Sequence, residues 1–342
     1  MTVLRFLLFP ISLLFGAVAV IRNWSFDLGL RRSRRLEKPV ISVGNLAMGG
    51  SGKTPVVIEL CRMFGEAGLR VAVLSRGYGR REPGSVRLVD PEGDWRDFGD
   101  EPLMIARRCP GARVCVGPSR FEAARALGDW APDLYLVDDG YQHRQLTRDL
   151  NLLLINLQQP MPRVFPMGMF REGWGAVKRA DAVLLTRWDG ILDTEHWERK
   201  IRALHPRVPI LRLGMKPSCL APLSGGRNAD LARLRGRRIG AFCGIAGPRS
   251  FLAALKELGA GLQAVETLRD HEPMSGDRLE GFLDRCRNSG VGWVVTTEKD
   301  AVKLDKTRDF DILLYSLLID VSWEHKNKIR AILDPFLPKE FE

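Results

Sequence analysis

An α/β fold with a mostly parallel sheet is predicted by three features of this 342-residue chain. Short apolar runs alternate along it with longer helix-like segments, the pattern of layered α/β domains rather than of all-α or all-β ones. One run, Pro39–Val43, leads through a glycine-rich turn into a helical segment, Val56–Phe64. Another, starting at Leu134, ends in the paired acids Asp138 and Asp139. With 45% hydrophobic residues the chain can bury two cores. Four parts are expected: an N-terminal apolar helix with a basic collar (1–36), a sheet-based core (37–215), a linker rich in Pro, Ser, Gly and Arg (216–236), and a smaller α/β domain (237–342).

Val3 to Ile21 is almost unbroken in its apolarity, with Arg5 its single charge. At about 19 residues it reaches the lower end of what spans a bilayer. An export signal fits Gly16, Ala17 and Ala19, yet it would carry the phosphate-binding loop that follows away from cytosolic nucleotide. A core helix of a small domain would not be apolar on every face. A membrane-associated helix, spanning or interfacial, fits best, because Arg22, Arg31, Arg32, Arg34, Arg35 and Lys38 follow it with Trp24 and Phe26 alongside. An RNA-binding arm is the alternative for the arginines. The formal charge of +11 asks for an anionic partner without choosing among membrane, nucleic acid and acidic small molecules. The six cysteines contain no Cys-x-x-Cys pair and read as reduced structural thiols.

Ala47-Met48-Gly49-Gly50-Ser51-Gly52-Lys53-Thr54 lies between a strand and a helix, where a phosphate-binding loop works. Glycines let backbone N–H groups crowd around phosphate oxygens, and the helix N-terminus adds partial positive charge. Lys53 is placed for the outer phosphates and the Thr54 hydroxyl for Mg²⁺. Ala47 stands where the usual pattern has Gly. The acids Asp138 and Asp139, at the end of their strand, supply the metal-holding half of such a site, so the core is expected to be P-loop NTPase-like with ATP and Mg²⁺ as ligands. His143, four residues beyond, is as consistent with a structural as with a catalytic role.

Leu69–Ser75 reads as a strand running into Arg76-Gly-Tyr-Gly-Arg80, which sets Arg76 at the rim beyond a strand's carboxyl end. Asp100, in Phe98-Gly-Asp-Glu-Pro102, has an adequate explanation as a helix cap. Arg120 opens the next helix, and Arg171–Glu172 sit in a non-periodic loop; Arg76, Arg120 and Arg171 are candidates for substrate or triphosphate contacts, with Glu172 orienting one of them. In the second domain Arg237–Gly247 reads as strand and turn, His271 sits among charges at a strand end, and Thr297 caps a helix after the strand Trp293–Thr297.

Loop, acids and basic rim together indicate phosphoryl transfer from a nucleoside triphosphate. A membrane-associated ATPase or GTPase of the partitioning or metallochaperone type is the alternative. No Asn-Lys-x-Asp guanine motif is present, and Met48 stands where deviant partitioning ATPases carry an extra Lys. The motifs at 43–55, Ser-Arg-Gly-Tyr-Gly (75–79), Gly-Asp-Glu-Pro (99–102), Val-Asp-Asp-Gly-Tyr-Gln-His-Arg (137–144) and Thr-Thr-Glu-Lys-Asp-Ala-Val-Lys-Leu (296–304) resemble those of the tetraacyldisaccharide 4′-kinases, in order and over nearly all the chain. The resemblance implies an ATP- and Mg²⁺-dependent kinase of a membrane-embedded disaccharide lipid in lipid A synthesis. It places that kinase on the cytoplasmic face of the inner membrane, with an anionic membrane surface and the lipid as partners, no nucleic acid and no obligate protein partner. It implies Lys53 and Thr54 at phosphates and metal, Asp138 as a metal carboxylate, Asp139 beside it in the catalytic group, and Asp100 with His271 as the base for the sugar hydroxyl.

Overall fold

The computed structural model describes residues 2–158, 163–190, 193–304 and 310–338, with side chains from residue 8 onward. In chain order the strands are β1 (Val40–Asn45), β2 (Val71–Ser75), β3 (Arg87–Leu88), β4 (Arg113–Val116), β5 (Leu134–Asp138), β6 (Leu150–Asn156), β7 (Ala182–Thr186), β8 (Ile210–Pro222), β9 (Arg238–Cys243), β10 (Gly261–Thr267), β11 (Trp293–Thr297) and β12 (Leu313–Trp323). The helices are α1 (Thr2–Asp27), α2 (Lys53–Glu66), α3 (Trp95–Phe98), α4 (Asp100–Arg108), α5 (Arg120–Arg125), α6 (Glu195–Leu204), α7 (Pro248–Glu257), α8 (Gly276–Asn288), α9 (Glu298–Ala301) and α10 (Lys326–Leu333). Among the described residues the twelve strands form one sheet, ordered β10-β9-β11-β12-β8-β7-β6-β1-β5-β2-β4-β3.

Strands β1, β2, β5 and β7 are buried at every position, as parallel strands covered on both faces must be. From β8 to β4 all neighbours are parallel, so β1, β5 and β2 deliver Asn45, Asp138 and Ser75 to one edge of the sheet. Helix α2 buries Val56, Val57, Leu60, Cys61 and Phe64 against that sheet, and this fixes the direction of its N-terminus.

The expected linker begins as a strand. Residues 216–222 belong to β8, which pairs antiparallel with β12 from Leu213↔Trp323 to Pro222↔Tyr315. Pro217 sits opposite Ile319 at a register shift of the ladder, the kind of position where a strand tolerates proline. The ribbon joins two parallel sets of strands, and α10 returns across it to place Ile329 and Leu333 in the first core.

Helix α1 leaves Ile11, Leu13, Leu14, Val18, Ile21 and Trp24 exposed. It is nevertheless attached to the core: Ser12 Oγ donates to the Val164 carbonyl at 2.8 Å, Phe15 packs edge-on to Phe165, and Arg144 pairs with Asp27 at 2.6 Å.

Candidate active site

Gly49 and Gly52 take φ of 100° and 84°, values a side chain would strain, and Gly52 caps α2 without a side-chain bond. The loop is braced from neighbouring strand ends. Asn156 Nδ2 donates to the Gly50 carbonyl at 3.2 Å, and Thr186 Oγ1 donates to that of Ser51 at 2.9 Å. The Met48 N–H donates to the Met169 carbonyl at 2.6 Å, and Ala47 bridges Phe170. With its carbonyls held from behind, the loop can turn N–H groups towards an anion.

Lys53 crosses the mouth of the loop to Asn45 Oδ1 at 3.3 Å and Asp139 Oδ1 at 3.4 Å. Asp139 also accepts from Arg171 at 2.7 Å, and Arg171 reaches Gln142 Oε1 at 3.3 Å. Burial works against the Asp139 charge, but Lys53 and Arg171 together hold its carboxyl below the ordinary value. Asp138 is 1% exposed; its Oδ2 accepts from Ser75 Oγ at 3.1 Å and its Oδ1 has no hydrogen-bond partner among the described residues. Burial, then the charges of Glu101 and Asp139, push Asp138 up to about 7.

Asp100 is the first residue of α4, and the cap is Gly99, so the capping role expected for Asp100 falls one residue earlier. Its Oδ1 accepts the Glu101 N–H at 2.9 Å and its Oδ2 lies 3.0 Å from His271 Nδ1. Tyr78, of the Ser-Arg-Gly-Tyr-Gly run, packs edge-on to His271 with ring centroids 5.3 Å apart. Burial opposes the Asp100 charge, yet the His271 hydrogen bond, Lys299 and Lys303 keep its carboxyl below the usual range. Glu101 links the two groups, since its charge acts on Asp138 and its carboxylate lies 4.0 Å from Lys299.

The arginines separate. Arg171 joins the Lys53–Asp139 group. Arg120 is 3% exposed, donates to the Gly117 carbonyl at 3.2 Å, and is pushed by burial to about 10. The charges of Arg120, exposed Arg76, Arg148 and Arg22 all act on His143. Glu172 orients none of the three expected arginines: its Oε2 accepts from Arg179 at 2.8 Å and from Asn23 of α1 at 2.6 Å. Sequence reasoning missed Asn45, Asn156 and Thr186, although a polar residue closing an apolar strand was a visible signal for each. It also gave no role to Gln142, Lys299 and Lys303, although all three lie inside motifs 137–144 and 296–304 that the resemblance rests on.

A loop of this kind alone would suit any nucleotide hydrolase. Joined to an Asp–His pair drawn from opposite halves of the sheet, it describes a P-loop phosphotransferase. The chain belongs to the tetraacyldisaccharide 4′-kinase family: the family model described as tetraacyldisaccharide-1-P 4′-kinase (LpxK) matches residues 4–337. A tetraacyldisaccharide 4′-kinase of Pelobacter propionicus is 40% identical over 305 residues, covering 87% of this chain and 82% of the relative. That of Bdellovibrio bacteriovorus is 32% identical across 98% of this chain and all of its own length. The crystal structure of LpxK from Aquifex aeolicus in complex with ATP superposes with a TM-score of 0.79 at 30% identity, over 98% of this chain and 100% of that one.

Proposed function

We propose that this chain transfers the γ-phosphoryl group of ATP to the 4′-hydroxyl of a tetraacyldisaccharide 1-phosphate lipid, at the cytoplasmic face of the inner membrane, in lipid A synthesis. The observation that carries this reading is the 3.0 Å contact between Asp100 and His271, residues 171 positions apart. A base assembled from two halves of the molecule suits a bulky alcohol acceptor entering between them.

Loop residues 47–54 would cradle the triphosphate, with backbone N–H groups supplied beyond Met48, whose own is spent on Met169, and Lys53 would neutralise the outer phosphates. Asp139 holds Lys53 and Arg171 ready on either side of it. Thr54 and Asp138 would hold Mg²⁺, for which the unpartnered, buried Oδ1 of Asp138 is a fitting hard oxygen donor. Bound there, the ion supplies charge neutralisation at the β- and γ-phosphates. The sugar oxygen forms its bond to the γ-phosphorus as the bond to the ADP oxygen breaks, and its proton passes to the Asp100–His271 pair. Arg76 and Arg120, whose charges both act on His143, would supply cations for the substrate's phosphate.

Helix α1 touches the core at Ser12, Phe15, Asn23 and Asp27, so we read it as lying in the membrane interface beside the site rather than crossing the bilayer. Incubation with labelled ATP, Mg²⁺ and the disaccharide 1-phosphate lipid should yield a bis-phosphorylated lipid. Label appearing only as inorganic phosphate would refute the kinase reading. His271→Ala should cut turnover at saturating substrates by about 10²-fold or more. Near-normal turnover would remove His271 from the chemistry.

A further inference from the structure

Nothing in the phosphoryl transfer itself requires the motif Thr297–Leu304, yet its side chains converge on the Asp–His pair. Lys303 and Asp100 have side chains only 1% and 4% exposed, with Nζ 3.6 Å from Asp100 Oδ2 and 3.2 Å from Asp300 Oδ1. Burying these charges is costly unless they meet each other. Asp300 spends its other oxygen on the Gly244 N–H at 2.8 Å and on Thr297 Oγ1 at 2.6 Å. The Gly244 carbonyl in turn accepts the His271 N–H at 3.2 Å, holding that residue at a φ of 65°. Lys299 donates to His271 Nε2 at 3.0 Å and to Asp270 Oδ1 at 3.0 Å. An ammonium in that place leaves room for a proton on Nδ1 alone, so Nδ1–H points at Asp100 and Nε2 stays unprotonated.

We propose that Lys299 and Lys303 are positioning residues for the reaction's base, Lys303 holding Asp100 and Lys299 holding His271 through direct charged contacts. The inference rests on the reading of Asp100 and His271 as that base. The incoming sugar hydroxyl takes over the contact to Nε2 from Lys299, and the lone pair that the ammonium had held there accepts its proton. The charged groups facing the pair are Lys299 and Lys303 from the motif, Asp300 behind Lys303, Asp270 beside His271, and Glu101 on α4; Tyr78 adds a neutral ring. Two cations and one hydrogen bond keep Asp100 ionised against its burial. Removing either cation from beside the pair raises its proton affinity as a whole, so the acidic limb of the rate profile must move up.

The test is the pH profile of kcat/KM for the lipid in the full-length protein, with Lys299→Met, Lys303→Met, Lys299→Arg, Asp100→Asn and His271→Ala compared. Each Met variant should lower kcat about tenfold or more, leave the KM for ATP within about twofold, and raise the acidic limb by about one pH unit. Lys299→Arg should bring the limb back most of the way. Lys303 is enclosed, so if its Met variant does not fold, Lys299→Met, with a side chain 17% exposed, decides the matter. Limbs and kcat values matching the wild type in the lysine variants, while Asp100→Asn and His271→Ala lose turnover, would overturn this inference alone. Turnover retained in the latter two would overturn the reading beneath it.

Discussion

Four arginines leave His143 little chance of holding a second proton. Burial first, then Arg120, Arg148, Arg22 and Arg76, push its imidazole down to about 4. A base whose folded pKa lies below its unfolded value adds stability that is complete above about 6.5 and drains as pH falls towards 4. Urea unfolding should therefore show the wild type losing up to about 3 kcal/mol from this residue between pH 7 and pH 4. His143→Gln should lack that component, and identical slopes in the two proteins would rule it out. Asp138 bears the opposite burden, since it is pushed up to about 7 with one oxygen unpartnered. Asp138→Asn is expected to stabilise the nucleotide-free protein at pH 8 by about 1–3 kcal/mol while lowering turnover by about 10²-fold, the trade expected of a functional site. Calorimetry beside a turnover assay checks both halves. Lys53, Asp138 and Asp139 were legible in the sequence because strand, loop and helix define their setting locally. The partner of Glu172 was not. The chain bends at these two residues, and Arg171 turns to Asp139 while Glu172 turns to Arg179 and α1, a parting that no local pattern announces.

Among the elements, α1 makes the sharpest demand on experiment. Among the described residues most of its apolar side chains stay exposed, whereas its polar contacts at Arg22, Asn23 and Asp27 reach the loops that carry Gln142, Arg144 and Glu172. Deleting residues 1–21 spares those contacts and removes most of the apolar surface. The truncated protein should keep ATP affinity within about twofold and lose about tenfold or more of its activity on lipid in bilayers. Equal loss of both would make α1 part of the core rather than a membrane element. Unbroken apolar runs exposed this helix and the buried strands clearly. Helix α8 was passed over in the sequence although Leu279, Phe282, Leu283 and Cys286 mark one buried face of it. The ribbon was hidden for a better reason: Pro217 and the glycine- and serine-rich stretch after it are loop chemistry locally, and only pairing with the distant β12 makes residues 216–222 a strand.

At the scale of the whole molecule, the question is what keeps the two halves of the pair in register. Arg108, at the far end of the helix that begins with Asp100, donates to Glu298 at 2.7 Å and to Asp320 of β12 at 2.5 Å. One cation thus ties α4 to the start of the Thr297–Leu304 motif and to the ribbon that joins the two sets of strands. Burial pushes the Glu298 carboxyl up despite Arg108 beside it, so this charge is tolerated only while its partner is present. Arg108→Met should cost about 3–5 kcal/mol in denaturant unfolding, because Glu298 then keeps the Ile319 N–H but loses its counter-charge in a largely enclosed place. Adding Glu298→Gln should return a large part of that loss, since the amide needs no counter-charge. A double-mutant cycle measures the difference directly. Strict additivity of the two substitutions would mean that Arg108 holds α4 by packing alone. Strong coupling, with turnover falling further than stability in Arg108→Met, would place the alignment of Asp100 with His271 on this one ionic tie.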